Sequence, residues 1–226
     1  MDKREKKWYN RGMKYLFFDL DGTLTDPYEG ITKSALYAID YFGYPRPEES
    51  VLRTCIGPPL YGWFQTVFSM TEEESVRAVE KFRERYHEVG WKENALLPGV
   101  KEGLFVLKKA GKTLAVATGK PTPFAKKILE FFGVAECFSA VVGSELDGTR
   151  ITKEEELSCA MQQVGARREE SVMIGDRKYD ILGAHALGVT AFGVEIGYAE
   201  QGELENAGAD LIFQDFPSLT EYLLTE

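Results

Sequence analysis

The sequence predicts a doubly wound α/β fold: a parallel, Rossmann-like sheet with an all-helical segment inserted after its first strand. Three observations lead there. The apolar run Tyr15-Leu-Phe-Phe stops at Asp19-Leu-Asp21-Gly22, as a buried strand does when it reaches a turn. Residues 28–94 then carry helical spacing with no strand pattern, and from Leu97 onward short apolar runs alternate with helical ones.

Taken in order, residues 1–12 are charged and unpatterned and close on Gly12, the composition of a flexible extension with Met13 as an alternative start. The first strand is expected over 14–19. Ile31, Ala35, Ala38, Ile39 and Phe42 fall on one helical face, and Gly43 stands where that helix would stop. A second helix carries Val76, Val79, Phe82, Arg83 and Tyr86 behind Thr71-Glu-Glu-Glu74, a capping-box pattern with an acidic first turn. Between them, Arg53-Thr-Cys-Ile-Gly-Pro-Pro-Leu60 reads as a loop, followed by Tyr61, Trp63, Phe64 and Phe68, whose simplest role is the core of the insert. Leu97-Pro98-Gly99 marks the return, so the core is assigned to 13–27 and 95–226 and the insert to 28–94.

Val100, Leu104, Leu107 and Lys108 suggest a helix ending near Gly111, and 113–118 a buried strand. Gly119-Lys-Pro121 is expected to open the next helix, with Phe124, Ile128, Phe131 and Phe132 as its apolar members. Further strands are expected at 140–142, 171–174, 190–194 and 211–213, and helices at 154–164, 178–187, 199–207 and 217–224. In such a sheet, ligands collect beyond the carboxyl ends of the strands.

Composition narrows the function. The chain has 226 residues, 44% of them hydrophobic, enough for one large domain or a domain with an insert. Its net charge of −9 argues against a general nucleic-acid polymer or anionic membrane as partner, while leaving room for a local basic pocket. Cys55, Cys137 and Cys159 are odd in number and widely spaced, with only His87 and His185 beside them, which disfavours a disulfide framework or a structural zinc site. No apolar run approaches a membrane span and no signal segment opens the chain, so a cytoplasmic location is expected. There is no GxGxxG; Gly111-Lys112-Thr113 lacks the first glycine of a P-loop; and His185 has no triad signature around it.

Polar residues punctuate the predicted strand ends: Asp19 and Asp21, Thr118, and Gly175-Asp176 with Asp180 four residues on, while Lys153 precedes a helix. Singly, each has a plain structural reading, as a solvated Asp turn, a helix cap or a first-turn residue. Asp19 and Asp21 converge if strand geometry holds through both and fan apart if the turn begins between them. At 4 Å and an effective dielectric of 20 their repulsion would be about 4 kcal/mol, which a proton or cation must relieve.

Asp19-Leu-Asp21-Gly-Thr23, Thr118, Lys153 and Gly175-Asp176-x-x-x-Asp180, in this order, resemble the four motifs of the haloacid dehalogenase superfamily, and the insert resembles its helical C1 cap. The resemblance covers residues 13–226 and is nearest the phosphoglycolate phosphatase-like and 5′-nucleotidase-like branch. Gly119 departs from it, standing where many members have Asn or Ser. The resemblance implies a magnesium-dependent phosphatase in which Asp19 is the nucleophile and Asp21 the general acid and base. Mg2+ would be held by Asp19, the backbone carbonyl of Asp21, and Asp176. Thr118, Gly119 and Lys153 would bind the phosphoryl group, and Asp180 would orient Lys153 or the metal's water shell. These roles require the side chains of Asp19 and Asp21 to diverge.

An acid at Asp21 favours phosphate-ester hydrolysis over carbon–halogen cleavage, since a halide leaves without a proton. The expected partner is a small phosphorylated metabolite, phosphoglycolate first, with nucleoside 5′-monophosphates or a sugar phosphate (phosphatase or mutase) as alternatives. A non-enzymatic module binding a phosphorylated ligand is the other class, and it would be expected to lack one of Asp19, Asp21, Lys153 or Asp176. Arg53 is the specificity candidate for a second anionic group, with Tyr61 or Trp63 for a base; the chain would be a monomer or homodimer.

Overall fold

The computed structural model describes residues 12–145 and 149–225. Apart from Gly12, the expected N-terminal extension lies outside the described residues. The chain forms two compact units, one running to Thr25 and resuming at Leu96, the other spanning Asp26–Ala95.

The first unit is built on a six-stranded sheet of β1 (Tyr15–Phe18), β4 (Thr113–Pro121), β5 (Phe138–Ser144), β6 (Ser171–Gly175), β7 (Thr190–Val194) and β8 (Leu211–Phe213), in the order β5-β4-β1-β6-β7-β8 and parallel throughout. β1 is central, paired through Phe18↔Val116 on one side and Phe18↔Ile174 on the other. The direction of winding reverses at β1, which makes its carboxyl end the switch point where ligand sites form. The helices are α5 (Val100–Lys109), α6 (Thr122–Phe131), α7 (Lys153–Val164), α8 (Lys178–Ala186), α9 (Glu203–Asn206) and α10 (Phe216–Leu224).

Period-2 alternation sorts the strand side chains between two helical layers. Phe17, Ala115, Ala117, Val142, Met173 and Ala191 pack with Leu157, Ala160 and Met161 of α7 and Ile181 and Ala184 of α8. The alternate residues, Leu16, Phe18, Val116 and Ile174, are equally buried, and the Phe18 ring lies 5.9 Å from that of Phe216 on α10.

The second unit contains α1 (Tyr28–Phe42), α2 (Glu49–Arg53), α3 (Leu60–Phe68) and α4 (Glu72–Glu88). Gly43 ends α1 in a left-handed conformation (φ 72°), and Thr71 with Glu74 forms a complete capping box on α4. Trp63, Phe64 and Phe68 of α3 form one ring cluster, with centroids 5.3–6.4 Å apart. Thr25–Asp26 (β2) and Ala95–Leu96 (β3) pair as a two-stranded sheet where the chain passes between the units.

Several expectations are corrected. Gly119–Pro121 does not open a helix: β4 continues through a register irregularity between Thr118 and Pro121, and Pro121 is extended at ψ 134°. Pro121 has no N–H to lose at that bulged end, and α6 starts only at Thr122. Phe131 is 56% exposed, a quarter turn off the buried stripe of Phe124, Ala125, Ile128 and Leu129. Arg53 closes helix α2 rather than opening the loop. The helix expected over 199–207 shrinks to Glu203–Asn206, because Gly202 takes a left-handed conformation in front of it.

Candidate active site

The site lies at the carboxyl end of the sheet, entirely within the first unit. Asp19 follows β1 directly, and its N–H still donates to Ile174 O (2.9 Å), so the backbone is held to β6 up to this residue. The chain then turns sharply: Leu20 O accepts from the N–H groups of Thr23, Leu24 and Thr25, and Gly22 sits at φ 86°. A side chain at Gly22 would be strained and would also collide with the carboxylate of Asp176.

That turn separates the two aspartates. Asp19 Oδ1 accepts from Lys153 Nζ (2.9 Å), whereas Asp21 Oδ2 pairs with Lys120 Nζ (2.5 Å). The other Asp21 oxygen, Oδ1, is buried without a hydrogen-bond partner. Burial raises the pKa of the Asp21 carboxyl and the Lys120 ammonium opposes that rise.

Lys153 is the first residue of α7. A capping box fixes this helix start, with Thr152 Oγ1 accepting from Glu155 N and Glu155 Oε2 accepting from Thr152 N (3.1 Å). From there the Lys153 side chain reaches Asp19 Oδ1, Ala117 O (3.0 Å), Asp180 Oδ1 (2.9 Å) and, farther off, Glu156 Oε2 (3.6 Å). Burial pulls the Lys153 pKa down, but Asp180, Asp19 and Glu156 more than reverse it, so the ammonium stays charged.

Asp176 directly follows β6 and is fully buried. Its Oδ1 accepts from Thr23 Oγ1 (3.0 Å) and its Oδ2 from Tyr198 N (2.7 Å). Gly197, beside Tyr198, has no room for a Cβ: one there would strike Asp176 Oδ2 and Gly22 O. Burial pushes the Asp176 carboxyl well above the usual range, and Asp180 and Asp19 add to the shift. Asp180 is held by Arg177 N donating to its Oδ2 (3.1 Å) and is pushed up to about 6 by burial against the pull of Lys153.

Asp19, Asp176 and Asp180 therefore present carboxylate oxygens within 4.8 Å of one another, all buried. Three buried carboxylates, two with raised pKa, form a hard oxygen donor set that suits Mg2+ and is relieved by one. Asp180 rather than the Asp21 side chain is the third member of this set. Thr118 is buried at the bulged end of β4, its Oγ1 accepting from Lys120 N (3.3 Å); Gly119 is exposed, its carbonyl accepting from Ser144 Oγ (2.7 Å). Arg53 is an exposed residue of the second unit.

Sequence reasoning missed Lys120, Glu156, Thr23 as a partner of Asp176, and the Gly197-Tyr198 loop. Lys120 carried a signal, a cation one residue past Gly119 at a strand end. Glu156 carried a fainter one, an acid one turn after Lys153 on the side of α7 that buries Leu157 and Ala160.

Residues 16–194 match the family model described as haloacid dehalogenase-like hydrolase. The chain belongs to that family. As a haloacid dehalogenase-like hydrolase it is 43% identical over 189 residues to a 5′-nucleotidase of Pseudomonas aeruginosa, covering 84% of this chain and 86% of that protein. It is 31% identical over 222 residues to a phosphoglycolate phosphatase of Vibrio cholerae (95% and 98% covered) and 36% identical over 198 residues to the tyrosine-protein kinase PtkA of Mycobacterium tuberculosis (87% and 67%). Among solved structures, a predicted phosphatase from Clostridium acetobutylicum superposes with a TM-score of 0.88 at 40% identity, over 94% of this chain and 98% of that one. Among the described residues of this hydrolase no helix is long and apolar enough to cross a membrane.

Proposed function

We propose that the chain is a magnesium-dependent phosphatase that hydrolyses a small phosphate monoester through an aspartyl-phosphate at Asp19. The observation that carries this reading is the division of labour at the end of β1: Asp19 joins Lys153 and the acidic set, while Asp21 turns away to Lys120 with one oxygen left over. Asp19, Asp176 and the Asp21 backbone carbonyl, with Asp180 beside them, are the groups that would hold Mg2+, which when bound supplies charge neutralisation for the phosphoryl oxygens.

A carboxylate oxygen of Asp19 forms a bond to phosphorus as the ester P–O bond breaks, and Asp21 gives its proton to the departing oxygen. Asp21, now ionised, takes a proton from water as the water oxygen attacks phosphorus and the Asp19–phosphorus bond breaks, restoring both carboxyl groups. The raised pKa of Asp21 supports the first half of this cycle, and its pairing with Lys120 supports the second. Lys153 and Thr118, with the Gly119 backbone, are assigned to the equatorial phosphoryl oxygens, where fixed charge and donors carry most of the catalysis.

Identity is higher to the 5′-nucleotidase than to the phosphoglycolate phosphatase, which supports nucleoside 5′-monophosphates as the first substrate class to assay and phosphoglycolate as the second. Arg53 remains the candidate for a second anionic group. The test is phosphate release from both classes and from an aryl phosphate, with and without magnesium. Asp19→Asn is expected to abolish it, and undiminished turnover in that variant would contradict the nucleophile. A relative named as a tyrosine kinase sets the competing outcome: transfer of label from ATP to protein tyrosine, with no phosphate release from any ester, would displace the phosphatase reading.

A further inference from the structure

Lys153 is surrounded by more negative charge than it needs. Hydrogen bonds to Asp19 Oδ1 and Ala117 O fix its ammonium, and Asp180 Oδ1 lies at 2.9 Å as the third near neighbour. An ammonium has only three protons to give. Glu156, one turn along the same helix, brings a further carboxylate to 3.6 Å, beyond hydrogen-bond reach. Its side chain is 1% exposed, and neither oxygen has a hydrogen-bond partner. A Cβ placed on Gly119 would meet one heavy atom within 4 Å, Glu156 Oε1 at 3.9 Å, so this carboxylate also lies behind the loop that follows Thr118.

A buried carboxylate with no donor is costly, and an apolar residue would fill the same space without that cost. Glu156 is not required to anchor Lys153, because the lysine is already held by other groups. What it adds is negative charge behind the lysine and the phosphate-facing loop. The geometry points to Glu156 as a positioning residue that tempers the pull of Lys153 on phosphoryl oxygens, so that inorganic phosphate is held less tightly and released as product. This rests on the reading of Lys153 as a phosphoryl-binding group and deepens it: that group is matched to turnover rather than to maximal affinity.

The test is the dissociation constant of inorganic phosphate at pH 8, measured by titration calorimetry on the magnesium-loaded full chain, for wild type, Glu156→Gln, Glu156→Leu, Glu156→Asp and Lys153→Met. The two neutral variants are expected to bind phosphate at least threefold more tightly, with a matching fall in the inhibition constant of phosphate, while Glu156→Asp, which keeps the charge, stays within twofold of wild type. If Glu156→Gln does not fold, Glu156→Leu carries the same expectation. Unchanged or weaker phosphate binding in the neutral variants, with binding lost in Lys153→Met, would overturn the role of Glu156 alone. Phosphate binding that survives in Lys153→Met would overturn the reading of Lys153 itself.

Discussion

At the scale of single residues, the ion pairs of the site, Lys120–Asp21 and those of Lys153, are buried, and their energetics differ from those on the surface. Removing one partner of a buried pair costs about 3–5 kcal/mol because the other charge is stranded, while removing both is often nearly neutral. Lys120→Met should therefore lower the melting temperature sharply, and Lys120→Met combined with Asp21→Asn should recover most of the loss. Thermal melts of the two single variants and the double variant give the coupling directly. Glu156 makes a second prediction. Burial, opposed by Lys153, pushes its carboxyl from an ordinary 4.5 up to about 7. Between those values the folded chain holds a proton that the unfolded chain has released, so stability falls as pH rises through that window, by ~3 kcal/mol in all. Glu156→Leu should accordingly melt well above wild type at pH 8 and gain no such margin at pH 4; an equal gain at both would contradict the shift.

At the scale of elements, the site depends on where α7 and the loop after β7 begin and end. The Thr152 cap holds the turn that carries Lys153, and losing such a cap costs roughly 1 kcal/mol. Thr152→Ala should reduce kcat/KM by more than that stability loss explains, since the frayed residue is the lysine itself. Gly197→Ala places a methyl group against Asp176 and should weaken magnesium binding at least tenfold by calorimetry while the far-ultraviolet circular dichroism stays unchanged. Strand ends and one cap were legible in the sequence because they follow local rules: apolar runs stopping at Asp19 and Asp176, and Thr71-x-x-Glu74 before α4. Lys120 was obscured because Gly119-Lys-Pro121 also reads as a helix start, and only pairing with β5 shows that β4 continues through it. Glu156 was obscured because a helical Glu one turn from a Lys normally marks a solvated face. Here the side chain is buried beside Lys153 and the Gly119 end of β4, a tertiary fact with no local signature.

At the scale of the whole molecule, acidic residues gather at one buried point: Asp19, Asp180 and Glu156 lie around the ammonium of Lys153, and Asp176 joins Asp19 and Asp180. A divalent cation bound there stabilises the native state by mass action, about 2.7 kcal/mol at a hundredfold excess over its dissociation constant. Magnesium should raise the melting temperature of wild type and leave that of Asp176→Asn unmoved, with sodium chloride at equal ionic strength as the control.

The central place of β1 also bears on how the chain is made. This strand is translated first, yet its two neighbours arrive only with residues 113–121 and 171–175. Until Gly175 has left the ribosome, the apolar Leu16-Phe17-Phe18 segment has an unpaired edge and no sheet to enclose it on both sides. Chains terminated before β6 should be retained by chaperones or aggregate, and chains terminated after it should begin to resist protease, as expected where the oldest strand must wait for a late one.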